Sequence, residues 1–166
     1  MSPRVFYDSI WAVLINFDTD FFTTASHGSN NIFTMHGKLF LIEKVSRTQS
    51  DAQAYCQSLH YGNAGSQKLF EPQSKEETDD VISKVDEIGG HHYYWIGADI
   101  SEGLSPNHCQ YQSNKNPVPF IDELYMTLLY YDPGYCICIA SAPSLTYIWW
   151  ERHCQTSLFS ICEMTF

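Results

Sequence analysis

Four of the six cysteines lie in the last 31 residues, as Cys136-x-Cys138, Cys154 and Cys162; the other two are Cys56 and Cys109. An even number suits a disulfide framework, which belongs to oxidising compartments. Reduced, buried thiols in a reducing compartment are the other reading, and spacing bears on the choice. There is no Cys-x-x-Cys pair, so thioredoxin-type redox chemistry and most zinc ribbons lose support. Cys136 and Cys138 alternate along a strand-like stretch. They are expected to point to opposite faces and to find different partners.

The rest of the composition narrows the class. A chain of 166 residues is long enough for one domain with a sizeable core and hardly enough for two. Hydrophobic content of 44% with 15% aromatics argues for a packed globule. The formal charge of −10 repels phosphate, so nucleic acid and anionic membrane surfaces are not expected partners. No segment approaches the roughly 20 apolar residues of a membrane span. The best apolar run, Ile10 to Phe17, is flanked by Asp8, Asp18 and Asp20 and makes a poor signal peptide. The expectation is that a leader has been removed or that residue 1 is not the native start.

Residues 1–36 show no clear period and read as an N-terminal arm, with a Thr-, Ser-, Gly- and Asn-rich stretch from Thr23 to Asn31. Phe17, Phe21 and Phe22 need burial against the body or a neighbouring chain. Residues 37–166 form the domain proper. Lys38 to Lys44 reads as a strand, and Ser50 to Leu59 as a helix with Ala52, Tyr55, Cys56 and Leu59 on its buried stripe. A second helix starts at Ser74, whose spacing to Glu77 makes a capping box. Its apolar face is Thr78, Val81, Ile82, Val85 and Ile88, and Gly89-Gly90 ends it. Further strands are expected at 68–71, 93–98, 108–112, 135–140, 146–150 and 158–163, with a long loop from Pro117 to Pro133. Helices first and short strands after suggest an α+β domain.

In order, these pieces resemble a C-type lectin-like domain: the strand KLFLIEK, the helix ending AQAYC, the Trp95-Ile96-Gly97 motif, then C-I-C-I, W-W-E-R-H-C and F-S-I-C-E. The resemblance covers about Lys38 to Glu163 and is similar to the secreted lectins of invertebrates. It implies two helices flanking short antiparallel sheets, a long loop and a disulfide-stapled frame. Carried over, it pairs Cys56 with Cys162 and Cys136 with Cys154. Cys109 and Cys138 are then expected to form a third bridge, on the view that their strands are neighbours in the smaller sheet. Two free buried thiols are the alternative.

The resemblance does not extend to the family's calcium-dependent sugar site. Calcium takes six to eight oxygens. The long loop has no Glu-Pro-Asn or Gln-Pro-Asp triplet, Gly134 stands where an acid is needed, and Trp150 stands where an Asn is needed. Glu151 alone keeps a carboxylate in register. No cofactor and no metal at that site are therefore expected. Asp122, Glu123 and Asp132 are either unconventional ligands or solvated loop acids. Aromatics stack on sugars and anchor interfaces. Tyr125 and Trp150, with Tyr130 and Tyr131, are the candidates, while Trp149 is expected in the core. The candidate ligand-binding set is thus Asp122, Glu123, Tyr125, Trp150 and Glu151. The seven histidines show no His-x-x-x-His or His-Glu-x-x-His pattern. No phosphate loop, dinucleotide fingerprint or Gly-x-Ser-x-Gly is present, so an enzyme is not expected.

These readings imply a secreted, extracellular, non-enzymatic recognition module for a glycan or a protein ligand, with host defence (innate immunity) as the nearest analogy. The rival is a structural, self-assembling protein that uses the same frame as a scaffold. In that reading the aromatic loop and the Phe-rich arm join copies into a homo-oligomer.

Overall fold

The computed structural model describes residues 31–60, 65–100, 109–120, 134–140 and 148–166. The arm up to residue 30, the long-loop residues 121–133 and hence Asp122, Glu123, Tyr125, Tyr130, Tyr131 and Asp132 lie outside the described residues.

The domain opens with a hairpin. β1 (Ile32–Met35) pairs antiparallel with β2 (Lys38–Arg47) across the two-residue turn His36-Gly37. Both turn residues have positive φ, 49° and 72°, the backbone that a tight hairpin demands. The segment read as an arm therefore ends in a strand of the sheet. Its weak period is that of a short edge strand with one buried residue, Phe33.

α1 (Gln49–Ser58) starts at Thr48, whose side chain accepts from the Asp51 N–H. α2 (Lys75–Gly89) starts at Ser74. The Ser74 hydroxyl accepts from the Glu77 N–H, and the Glu77 carboxylate reaches back to the Gln73 N–H. Thr78, Val81, Ile82 and Val85 are its buried stripe, and Gly90 caps the end with φ of 82°.

The strands that follow are β3 (Gln67–Leu69), β4 (Tyr93–Ile100), β5 (Cys109–Tyr111), β6 (Tyr135–Ala140), β7 (Ile148–His153) and β8 (Leu158–Met164). The described strands are joined in one sheet, ordered β1-β2-β8-β4-β6-β7. Two strands are shared at their edges. One edge of β8 pairs with β2 along its length, and the other holds β3 at Cys162 and β4 at Ser160. One edge of β4 holds β6, and the other holds β8 and then β5. The β4–β8 pair is parallel and the rest are antiparallel.

Each face of the sheet has its own core. One holds Phe40, Ile42, Phe70, Val81, Ile82, Val85, Tyr94, Ile96, Ile137, Ile139, Trp149 and Ile161, under α2. The other holds Leu41, Ala52, Cys56, Leu69, Trp95, Cys136, Cys138, Cys162 and Met164, under α1. Each fully buried side chain of this size contributes roughly 1.5–3 kcal/mol. The Trp95 indole donates to the Arg47 carbonyl at 3.0 Å, so its polar atom is satisfied inside the core.

The two family disulfides are present. Cys56 is bonded to Cys162 with Cα atoms 5.4 Å apart, and Cys136 to Cys154 at 5.0 Å. The third bridge is not: Cys109 and Cys138 are free and buried. Their strands are not neighbours, because β4 runs between β5 and β6. Cys109 lies opposite Ile100 and Cys138 opposite Trp95. Two strand spacings, roughly 10 Å, and roughly 16 Å along β4 separate them, against the 7 Å or so that a disulfide spans. They also serve opposite cores. The expectation that Cys136 and Cys138 face opposite ways is corrected too. Residues two apart on a strand share a face, and both cysteine side chains lie in the α1-side core.

Candidate functional site

The sequence-derived candidates Trp150 and Glu151 lie on β7, which joins β4 through β6, and register decides which side chains meet there. Trp95, Cys138 and Trp150 form one row across the three strands; Asp99, Cys136 and Arg152 form another. Because adjacent strand residues alternate, Trp150 and Glu151 project from opposite faces of β7. Trp149 is fully buried beneath α2's side of the sheet, and Glu151, on the same face, is buried as well. Trp150 is half-buried and packs on the α1-side core. The two described members of the sequence-derived ligand set therefore do not converge on one ligand. Asp122, Glu123 and Tyr125, the other three, lie outside the described residues.

On Trp150's face the sheet carries a cluster that sequence reasoning missed. The Arg152 guanidinium lies over the Trp150 ring at 5.2 Å and over the Tyr93 ring at 4.9 Å from their centroids. Its Nη1 donates to the Glu151 carbonyl at 3.2 Å. Tyr93 is 40% exposed. Two rings and one carbonyl fix the orientation of the guanidinium. The expected strand ended at Trp150, so Arg152, two residues on, joins its face only because β7 continues to His153. Tyr93 could not be added without knowing that β6 joins β4 to β7.

A cleft of about 580 Å³ opens between β5 and the start of β6. It is lined by Asp99, Ile100, Gln110, Lys115, Gly134 and Tyr135, above the Cys136–Cys154 disulfide. Lys115 donates to Asp99 Oδ2 at 2.8 Å, while Oδ1 is buried with no hydrogen-bond partner. Tyr135 meets the His153 ring edge-on at 5.7 Å. Gly134 has a φ of 147°, a conformation that L side chains rarely adopt. An acid at that position would be strained, so the backbone itself disfavours the missing calcium ligand.

Burial pushes the Cys138 thiol up to about 12, against a small opposing pull from Arg152. Burial likewise raises Cys109 to about 12, with Asp99 and Glu151 adding to it. Neither is a thiolate near neutral pH, so neither is an activated nucleophile. Among the described residues no group of three or more His, Cys, Asp and Glu side chains is arranged to hold a metal. No described helix is long and apolar enough to cross a membrane.

No family model matches the sequence, and no curated protein matches it. Solved structures do. Human lithostathine superposes with a TM-score of 0.63 at 18% identity, covering 82% of this chain and 98% of that one. SPL-1 in its complex with GlcNAc gives 0.62 at 21% identity, over 83% and 95%. SPL-2 from Saxidomus purpuratus, a Ca2+-independent C-type lectin, gives 0.56 at 22% identity, over 80% and 90%. With its two helices, its mixed sheet and both framework disulfides in place, this chain has the C-type lectin-like fold.

Proposed function

We propose that the domain is a non-enzymatic, extracellular recognition module that binds a glycan without the calcium site of its fold family. The observation that carries this reading is the hairpin geometry. Gly134 holds a backbone angle that suits no acid, and Trp150 and Glu151 part to opposite faces of β7. The sugar's hydroxyls would then meet protein groups directly, not a shared calcium shell. The likeness to SPL-1, solved with GlcNAc, and to the Ca2+-independent SPL-2 supports the same direction. The two disulfides support an oxidising compartment.

A glycan array probed in calcium of about 1 mM, the upper end of the range in which extracellular modules bind it, and again with excess chelator tests the reading. The expected result is a set of bound glycans that is the same in both conditions. Binding lost on chelation, or silence on the whole array, overturns it.

A further inference from the structure

Arg152 stands out electrostatically. In an acidic chain with 9 Lys and Arg against 19 Asp and Glu, cations normally find carboxylates. Lys38, Arg47, Lys68, Lys75, Lys84 and Lys115 all do. Two described cations make no ion pair among the described residues: Lys44 donates to the Ile88 carbonyl, whereas Arg152 lies over two aromatic rings. The guanidinium lies over both rings and gives one N–H to the Glu151 carbonyl, which leaves further N–H donors of its five.

We infer that Arg152, Trp150 and Tyr93 form a subsite for an acidic sugar, a pyranose bearing a carboxylate or a sulfate ester. The guanidinium fork matches such an oxyanion in a bidentate way that a lysine cannot reproduce. A flat indole or phenol beside it takes the apolar face of a pyranose. The fork is already oriented, so little rotamer entropy is lost on binding. The chain's net charge of −10 opposes an anion at long range. Physiological salt screens that repulsion beyond about 8 Å, and the contact pair decides at close range.

This inference rests on the glycan-binding reading above and makes a narrower claim than it. The test is an array with three matched arms: glucuronate-terminated, sulfated and neutral glucose-terminated glycans, run on the wild type, Arg152→Gln, Arg152→Lys and Trp150→Leu. Matching far-ultraviolet dichroism and a cooperative urea transition would show that each variant folds. Both anionic arms, or one of them, should exceed the neutral arm by about tenfold, the stronger arm identifying the oxyanion. Arg152→Gln should erase that excess, Arg152→Lys should restore only part of it, and Trp150→Leu should weaken all anionic binding. Neutral glycans bound as well as anionic ones, or an excess unchanged in Arg152→Gln, overturn the inference and leave the glycan reading standing. Competition by poly-glutamate equal to that by glucuronate overturns it in favour of an acidic peptide. No glycan bound in any arm overturns both.

Discussion

At the scale of single residues, the two unpaired cysteines report most directly on how the core is closed. Cys109 and Cys138 are buried in different cores, and burial pushes each thiol up to about 12. A thiol in that state is a poor nucleophile at pH 8, where a free cysteine is partly ionised. Iodoacetamide at pH 8 should therefore leave the native, unreduced protein unlabelled. In urea without reductant, mass spectrometry should show two added groups, and with reductant six. Two labels on the native protein would mean that the thiols are reachable and the cores open. Gly97 shows the same tightness from the backbone side. A Cβ there would lie 2.6 Å from Glu71 Cγ and 2.9 Å from the Leu69 carbonyl. The glycine of the Trp95-Ile96-Gly97 motif is thus a packing requirement of β3 against β4. That is why the motif could be read from sequence, whereas the fate of Cys138 could not: it depended on strand order.

At the scale of elements, a buried charge network ties α2 to the sheet. Lys38 of β2 sits 2.7 Å from the Glu77 carboxylate of α2 and 2.9 Å from that of Glu163 on β8. Lys68 of β3 pairs with Glu71 and lies 3.5 Å from Glu163. Three carboxylates share two ammonium groups in this network. Burial, the largest cause, therefore pushes Glu163 above its ordinary value, despite the pull of Lys38 and Lys68. Lys38 loses some affinity for its proton to burial, but the Glu77 and Glu163 carboxylates outweigh that and raise it above 10.5. A carboxyl raised in the fold stabilises it fully below its unfolded value near 4.5, and the contribution is lost as pH climbs through the folded value. Removing Lys38 takes the ammonium partner from buried Glu77 and leaves Glu163 with Lys68 alone, 3.5 Å away. Lys38→Met should cost about 3 kcal/mol in urea unfolding at pH 7, and distinctly less at pH 5, where Glu163 more readily holds its proton. An equal cost at both pH values would show that Lys38 acts by packing alone. The network itself was beyond the sequence. The capping box gave Glu77 a local role, and only the meeting of β2, β3, β8 and α2 gives it this second one. Local periodicity was enough for α2 and for the inner strands. It failed for β1, which is four residues long, and it ended β7 at Trp150 where the strand runs on to His153.

At the scale of the whole molecule, the chain is closed on itself by its last strand. β8 accepts β2, β3 and β4, so the start and the end of the domain share one ladder. Cys56–Cys162 makes that closure covalent across 106 residues, while Cys136–Cys154 clasps only 18, at the base of the long loop. In the chain-entropy account the larger loop contributes about 4–5 kcal/mol and the smaller about 3. Size alone would thus rank the bridges only modestly apart. Position adds to the gap. Cys56 and Cys162 are fully buried, so their removal also opens a void in the α1-side core, whereas Cys154 is half-buried at the rim. The double variant Cys56→Ala with Cys162→Ala should therefore lose more stability than Cys136→Ala with Cys154→Ala, by about 2 kcal/mol or more once the cavity is included. Urea midpoints of both variants, taken at equal m-values, measure the difference. The second variant should keep a cooperative transition, because the sheet between β2, β8 and β4 survives without the loop clasp. A reversed order would place the stability of the fold at its ligand end. The cleft and the Arg152 cluster would then be parts of the frame, with no freedom to be shaped for a ligand.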